Sequence, residues 1–270
     1  MRDICASITE FCGSLIFFAV VSCKKATVPF SNIIDLKNSP SCPKDEGLNV
    51  FFDLGSWMGF SLSDEKTNTG FSGPYILGLE YGIWPSKNFT SIDLISENGN
   101  SLLTNLNHSE QKYFPGKLEN QLHFEDIELI SNLIFTSDKS AIISSRIINN
   151  GTQNLNFAPQ WKGEIFDEIG SLINNDTILI TLLDKNQKIF LRPINDKEFK
   201  ILTDSNKYTI SLNNIILKPK ESKTYTIEIQ YHPDQKNIIG NAKINVSQEI
   251  KDNQLRWKKY LEITNKKSLS

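Results

Sequence analysis

Seven residues near the end of the chain, Tyr225-Thr226-Ile227-Glu228-Ile229-Gln230-Tyr231, alternate apolar with polar side chains. A period of two is the signature of a β-strand with one buried face. Tyr208-Thr209-Ile210-Ser211-Leu212 repeats it. Further β-prone runs are Ser91 to Ser96, Leu118 to Phe124, Ile127 to Thr136, Ala141 to Ile148, Leu155 to Trp161, Thr177 to Leu183, Ile189 to Ile194 and Lys200 to Thr203. The breaks between runs carry turn chemistry. Asn98-Gly99 and Asn150-Gly151 tolerate positive φ, as tight hairpin turns require, and Asp184-Lys185-Asn186 has hairpin spacing. Strands so dense, with no helical pattern between them, predict antiparallel pairing, because parallel pairing needs long crossovers. The expected fold is all-β, a large antiparallel sandwich.

One helix is predicted, as the last element. Between Gln248 and Ile263, the residues Ile250, Trp257 and Leu261 share one helical face, and Lys251, Lys258 and Lys259 lie mostly on the wet side. The tail Asn265 to Ser270 is polar.

The N-terminus reads as an export signal. The apolar run Phe11 to Val21 is too short for a hydrocarbon core of about 30 Å but suits the hydrophobic region of a signal peptide. It ends in Val20-Val21-Ser22-Cys23, which resembles a bacterial lipobox. That resemblance implies acylation of Cys23, so that residues 1–22 are removed and the protein is exported to the periplasm or outer membrane on a lipid anchor. A simple secretory signal is the alternative, because Asp3 and Glu10 depart from a positive leader. Residues 23–47, including the Pro-bearing stretch Asn38 to Pro43, are expected to form anchor and tether. The sandwich is expected over 48–246, and the linker helix and tail over 247–270.

The 29 Lys and Arg residues nearly cancel the 31 Asp and Glu and are interspersed with them, which argues against a nucleic-acid partner. Cys5, Cys12 and Cys23 sit at the leader and leave Cys42 alone, so neither a disulfide framework nor a metal cluster is expected. His108, His123 and His232 show no metal-ligand spacing, and no phosphate-binding Gly-rich loop is present. No cofactor is expected. Glu125-Asp126 and Asp167-Glu168 are adjacent acids, which on a strand point to opposite faces. They read as solvated charge, and no catalytic pair is assigned. The Asn-x-Ser/Thr triplets at Asn88, Asn107, Asn150, Asn175 and Asn245 read as chance matches in an Asn-rich chain.

The most unusual stretch is Val50-Phe51-Phe52-Asp53-Leu54-Gly55-Ser56-Trp57-Met58-Gly59-Phe60, which crowds aromatics, an acid and two glycines without strand alternation. Gly70-Phe71-Ser72-Gly73-Pro74 and Glu80-Tyr81 follow. Later come Asn88-Phe89, Pro115-Gly116-Lys117-Leu118, Phe135 to Ser140, Trp161-Lys162-Gly163-Glu164 and Arg256 to Leu261. In this order the blocks resemble the N-terminal domain of YgjK-type glucosidases of glycoside hydrolase family 63. The likeness runs from about Asn49 to about Leu261.

The resemblance implies a β-sandwich that in relatives precedes an (α/α)6 barrel. The barrel holds the acid and base of an inverting α-glycosidase. Inversion needs two carboxylates about 6.5–9.5 Å apart. On this mapping both belong to the barrel, so the chain is expected to lack catalysis of its own and to pair with an (α/α)6 domain or chain. Asp53 and Trp57 are the candidates for contact with an α-linked oligosaccharide: a carboxylate accepts sugar hydroxyls, and an indole face covers a pyranose. The competing reading places Phe51, Phe52 and Trp57 in the core with Asp53 closing a turn. Trp84 and Trp161 read as core. Three functions compete: a fragment or split piece of a glycosidase, a stand-alone carbohydrate-binding lipoprotein, and a purely structural lipoprotein.

Overall fold

The computed structural model describes residues 31–77, 82–167, 169–174, 177–182, 187–194, 198–233 and 244–267. The expected leader, Cys23, Glu80-Tyr81, Glu168 and Asp184-Lys185-Asn186 lie outside these residues. The strands of the described residues pair antiparallel, and one helix follows them.

The larger sheet has eight strands. In spatial order they are β4 (Leu106–Phe114), β5 (Lys117–Phe124), β6 (Ile127–Phe135), β7 (Ser140–Asn149), β15 (Ser222–His232), β11 (Lys188–Ile194), β10 (Ile178–Leu182) and β9 (Gly170–Asn174). The second sheet holds β12 (Phe199–Asp204), β13 (Lys207–Leu212), β8 (Leu155–Glu164) and β14 (Ile215–Leu217), with β3 (Ser91–Ile95) also paired to β8. A two-stranded ribbon joins β1 (Met58–Ser61) and β2 (Ser72–Ile76).

Alternation decides which side chains go inside. Leu118 and Leu122 on β5, Ile178 and Ile180 on β10, and Ile227 and Ile229 on β15 are buried from the large sheet. Phe157 and Trp161 on β8 and Tyr208 and Ile210 on β13 are buried from the small one. All of them belong to one continuous apolar cluster, so the two sheets face each other as a sandwich. Each such side chain contributes about 1.5–3 kcal/mol by leaving water. Trp84 and Trp161 are fully buried, as the sequence predicts.

The chain changes sheets between β7 and β8, and Asn150-Gly151 lies at that crossing rather than in a hairpin. Glu125 (φ 38°) and Asp126 form the tight β5–β6 turn. Of the stretch expected as anchor and tether, the described residues 31–47 meet the domain: Leu36 is buried, and the Asn38 N–H donates to the Leu62 carbonyl at 2.9 Å.

One polar row crosses the interior of the large sheet. Asn120, Ser131 and Ser145 are buried and stand side by side across β5, β6 and β7. Asn120 Nδ2 donates to the Asn68 carbonyl at 2.7 Å, and the Ser131 and Ser145 hydroxyls pair at 2.8 Å. This row seats the 68–70 loop and with it Gly70-Phe71-Ser72-Gly73. Gly70 is required there, because a Cβ would lie 2.0 Å from the Thr90 carbonyl oxygen. The seated loop delivers β2 to β1, in the register Met58↔Ile76 and Gly59↔Tyr75. The ribbon in turn fixes the residues just before Met58.

Helix α1 (Val246–Lys267) lies on the outer face of the large sheet. Asn245 caps its start, the side-chain oxygen accepting the Gln248 N–H at 3.2 Å. Val246 and Ile250, with Ile244, pack on Ile134, Ile142 and Ile194, a cluster separate from the main core.

Candidate functional site

The Val50–Phe60 block divides its side chains between interior, helix and solvent. Phe51 bridges to Phe60 and packs its ring against Tyr113 and Phe135, at centroid distances of 5.8 and 5.5 Å. The chain then turns sharply, the Ser56 N–H donating to the Asp53 carbonyl at 3.0 Å. Leu54 (φ 54°) and Gly55 (φ 70°) are both left-handed, the pattern of a type I′ turn. Such a conformation costs a leucine about 1–2 kcal/mol. The Asp53 carboxylate offsets this by accepting the Leu54 N–H at 2.8 Å.

The same carboxylate is the anchor point of α1. Its Oδ1 accepts from Arg256 Nη1 at 2.8 Å, and its Oδ2 accepts from Arg256 Nη2 at 2.5 Å and from Trp257 Nε1 at 3.0 Å. Arg256 Nη2 also donates to Asn253 Oδ1 at 2.7 Å, and Asn253 Nδ2 donates to the Gly116 carbonyl at 3.0 Å. With the Leu54 N–H, Asp53 accepts four hydrogen bonds, the full capacity of a carboxylate. Burial opposes ionisation of Asp53, but the donors Arg256, Trp257 and Leu54 and the guanidinium charge outweigh it. They hold its carboxyl below the usual value. The Tyr113 hydroxyl is pushed up by burial and then by the nearby Asp53 charge.

Gly116, in the β4–β5 hairpin turn, makes room for the helix. Its φ of +85° is left-handed, and a Cβ built there would fall 2.0 Å from Trp257 Cδ1 and 2.2 Å from Nε1. The indole therefore sits in a notch that only glycine leaves open, with its N–H directed at Asp53.

The two residues expected to contact sugar thus part company. Asp53 is 9% exposed and bound within the chain. Trp57, four residues on, is 55% exposed. The Trp57 carbonyl accepts the Leu77 N–H at 2.8 Å, and Leu54 and Leu77 are also exposed, so Trp57 stands on an apolar rim. Of the competing reading, Phe51 is core and Asp53 closes a turn, but Phe52 is half-buried and Trp57 is exposed.

Other acidic and imidazole groups lie apart from this site. Glu125 sits in its hairpin, accepting from Asn105 Nδ2 at 2.8 Å. His108 and His123 are cross-strand partners with ring centroids 5.7 Å apart. Among the described residues no group of three or more His, Cys, Asp or Glu side chains is placed to hold a metal. Among the same residues no helix is long and apolar enough to cross a membrane.

Sequence reasoning missed Arg256 and Trp257 as partners of Asp53, Asn253 as the acceptor beside Arg256, and Gly116 as the carbonyl and notch that receive them. An arginine beside a tryptophan on an otherwise lysine-rich helix is the one signal available, since Arg favours fixed bidentate carboxylate pairs.

The sequence profile described as "Glucosidase YgjK, N-terminal" matches residues 39–258. That span takes in Asp53, Trp57, Gly116, Arg256 and Trp257. Solved structures resemble the chain at low identity. A heparan sulfate lyase HepC mutant from Pedobacter heparinus is 9% identical, with TM-score 0.40 over 54% of this chain and 24% of that one. A chain provisionally described as a kojibiose phosphorylase, from the human microbiome, is 13% identical, with TM-score 0.44 over 76% and 32%. The Slr1438 protein from Synechocystis sp. PCC 6803 is 14% identical, with TM-score 0.46 over 73% and 99%. The chain spans about a quarter of the lyase and a third of the phosphorylase. On the profile match, which covers most of its length, the chain belongs to the family of YgjK glucosidase N-terminal domains.

Proposed function

We propose that this protein supplies the non-catalytic β-sandwich of a periplasmic α-glycosidase, and that it supports an (α/α)6 catalytic domain. One observation carries the reading. The family's opening block and the last helix of the matched region are tied together through Asp53, Arg256 and Trp257. A helix bonded to the sandwich at this point is suited to present a following or partner domain in a defined direction. The sandwich contributes binding surface and orientation, and the acid and base come from the partner. Attachment to the membrane through an acylated Cys23 belongs to the same proposal.

The test is hydrolysis of α-linked disaccharides by the purified 270-residue protein, alone and together with an (α/α)6 catalytic domain of a YgjK-type glucosidase. Glucose release is expected only from the pair. Release by the isolated chain refutes the proposal. For the anchor, Cys23→Ala should move the protein from the membrane fraction to the soluble periplasmic fraction.

The exposed Trp57 favours a second reading, a carbohydrate-binding module. An indole with an open face on an apolar rim can stack on a pyranose without help from Asp53. Calorimetry against α-linked glucosides and galactosides separates the two readings. Equal affinity for wild type and Trp57→Ala removes this site from consideration.

A further inference from the structure

The chain has three histidines, and their surroundings divide them. His232 is buried, its Nε2 lies 3.2 Å from Gln230 Oε1, and its ring meets Phe190 edge-on at 5.0 Å. His108 on β4 and His123 on β5 stand directly opposite each other across the ladder, with ring centres 5.7 Å apart and planes inclined at 43°. His123 alternates with the buried Leu122 and Phe124, and His108 is exposed, so both rings lie on the outer face of the large sheet. Among the described residues no hydrogen bond engages either ring. Glu128, opposite His123 on β6, completes the row, with its Oε1 3.9 Å from His123 Nε2. Gln121 Nε2 and Asn150 Nδ2 donate to the two Glu128 oxygens at 2.6 and 3.2 Å and hold the carboxylate in place.

We propose that His108 and His123 form a two-imidazole site for a late first-row divalent metal ion of the Ni2+ or Zn2+ kind. A neutral imidazole has one nitrogen with an available lone pair, and here two such nitrogens are offered from neighbouring strands. Metal–nitrogen bonds of about 2.0–2.1 Å at a tetrahedral angle place two ring centres about 5 Å apart, so side-chain rotation closes the gap from the observed 5.7 Å. Glu128 adds negative charge beside the ion without being a ligand, because its oxygens already accept from Gln121 and Asn150. Among the described residues no third ligand converges, so water completes the coordination and the site is an open one. As solvated side chains the two rings gain nothing from each other, and when both are protonated they repel across the strands. A shared ion turns the same juxtaposition into a chelate.

The position gives the ion a structural consequence. β4 is the edge strand of the large sheet, and its register with β5 shifts between Leu106 and His108. The Pro115-Gly116 turn closes the opposite end of this hairpin. An ion held by both imidazoles clamps β4 to β5 where the ladder is irregular. Sequence spacing gives no sign of the site, because only the hairpin brings the two residues together. The proposal is independent of the glycosidase reading, since it needs neither a catalytic domain nor a sugar.

Isothermal titration of the full chain with nickel chloride and with zinc chloride, its thiols alkylated beforehand, tests the site. Binding of one ion per chain is expected, with a dissociation constant below about 1 mM. His108→Ala and His123→Ala should each weaken it by about tenfold or more, since a change outside the ligand shell can already cost that much. Glu128→Gln should weaken it less than either. Both imidazoles are on the wet face, so the alanine variants are expected to keep the wild-type urea midpoint. Hydrogen exchange of β4 amides should slow when Ni2+ is added to the wild type and should not respond in His108→Ala. Absence of binding by either ion up to about 1 mM overturns the proposal, and so does equal affinity in the wild type and either alanine variant.

Discussion

Replacing Gly163 with alanine tests whether this sandwich is held by close approach between sheet and loop. A Cβ at Gly163 would lie 2.0 Å from the Phe89 carbonyl oxygen and 2.5 Å from Tyr208 Cε1. Ordinary contact begins at 3.4 Å, so the oxygen must retreat by about 3.4 − 2.0 = 1.4 Å. Neither neighbour is free to yield. Phe89 and Tyr208 are buried, their rings lie 5.1 Å apart, and the Tyr208 hydroxyl donates to that same Phe89 oxygen. Strand β8 is pinned on both sides, with Lys162 opposite Ser91 and Gly163 opposite Tyr208. The methyl thus overpacks the core, at about 1–3 kcal/mol, and strands a buried phenol, at about 1–3 kcal/mol more. Against these stands about 0.4–1 kcal/mol from a stiffer unfolded chain. A net loss of about 3 kcal/mol follows, which at an m-value of about 2–3 kcal/mol/M lowers the urea midpoint by about 1–1.5 M. Gly99→Ala is the control. Its φ is +80° but nothing lies within 4 Å of a Cβ, so it should cost only the left-handed strain of about 1–2 kcal/mol. If Gly163→Ala shifts the midpoint no more than Gly99→Ala does, the close-approach argument fails.

Three further outcomes are expected. The Asp53 carboxyl is held below its ordinary value, so its pair with Arg256 is complete above that value of about 3.9 and is lost as pH falls through the lower folded one. Exchange protection of Asn253 to Ile263, referenced to intrinsic rates, should stay flat from about pH 7 to 5 and fall only below about pH 4, and loss near pH 6 would contradict it. Glu228, nearly fully buried, accepts from Arg192 Nε at 2.7 Å and from the Ser140 hydroxyl at 2.9 Å, so Glu228→Ala should cost about 3–5 kcal/mol and lower Tm by about 10 °C in a thermal melt. Trp57→Ala, at an exposed side chain, should leave the unfolding free energy from a urea titration within about 0.5 kcal/mol of wild type, and a larger loss would mean that Trp57 has a structural task after all.

Most of the sandwich was legible because most strands have one wet face. β5, β6, β8, β10, β11 and β13 bury alternate residues, and each lies where alternation places it. The strands that escaped do so for opposite reasons. β4 is an edge strand, Leu-Asn-His-Ser-Glu-Gln-Lys-Tyr-Phe, with only Tyr113 buried, so it has too little apolar pattern to see. β1 and β2 are buried at every position, so a period of two cannot appear. The Asn150-Gly151 crossing shows that turn chemistry marks a change of direction without saying which sheet the chain enters next. The helix was legible from Ile250, Trp257 and Leu261, yet the pairing of its Arg256 with Asp53 was not. Arg256 lies 203 positions from Asp53, and no local period connects them.

The family blocks have a common physical meaning that bears on how far the family match reaches toward function. Gly70 meets the Thr90 carbonyl, Gly116 meets Trp257 and Gly163 meets the Phe89 carbonyl, each with room for hydrogen and for nothing larger. Asp53, in the first block, meets Arg256 in the last. Each block therefore marks a place where parts of the chain distant in sequence come closest together, which is why their order along the sequence specifies the architecture so well. Contacts of this kind build a scaffold and orient its helix, and the Asp53 carboxylate is taken up by them. Any chemistry supplied with the scaffold has to enter at surfaces the blocks do not consume. In the opening block, the most exposed large side chain is the indole of Trp57.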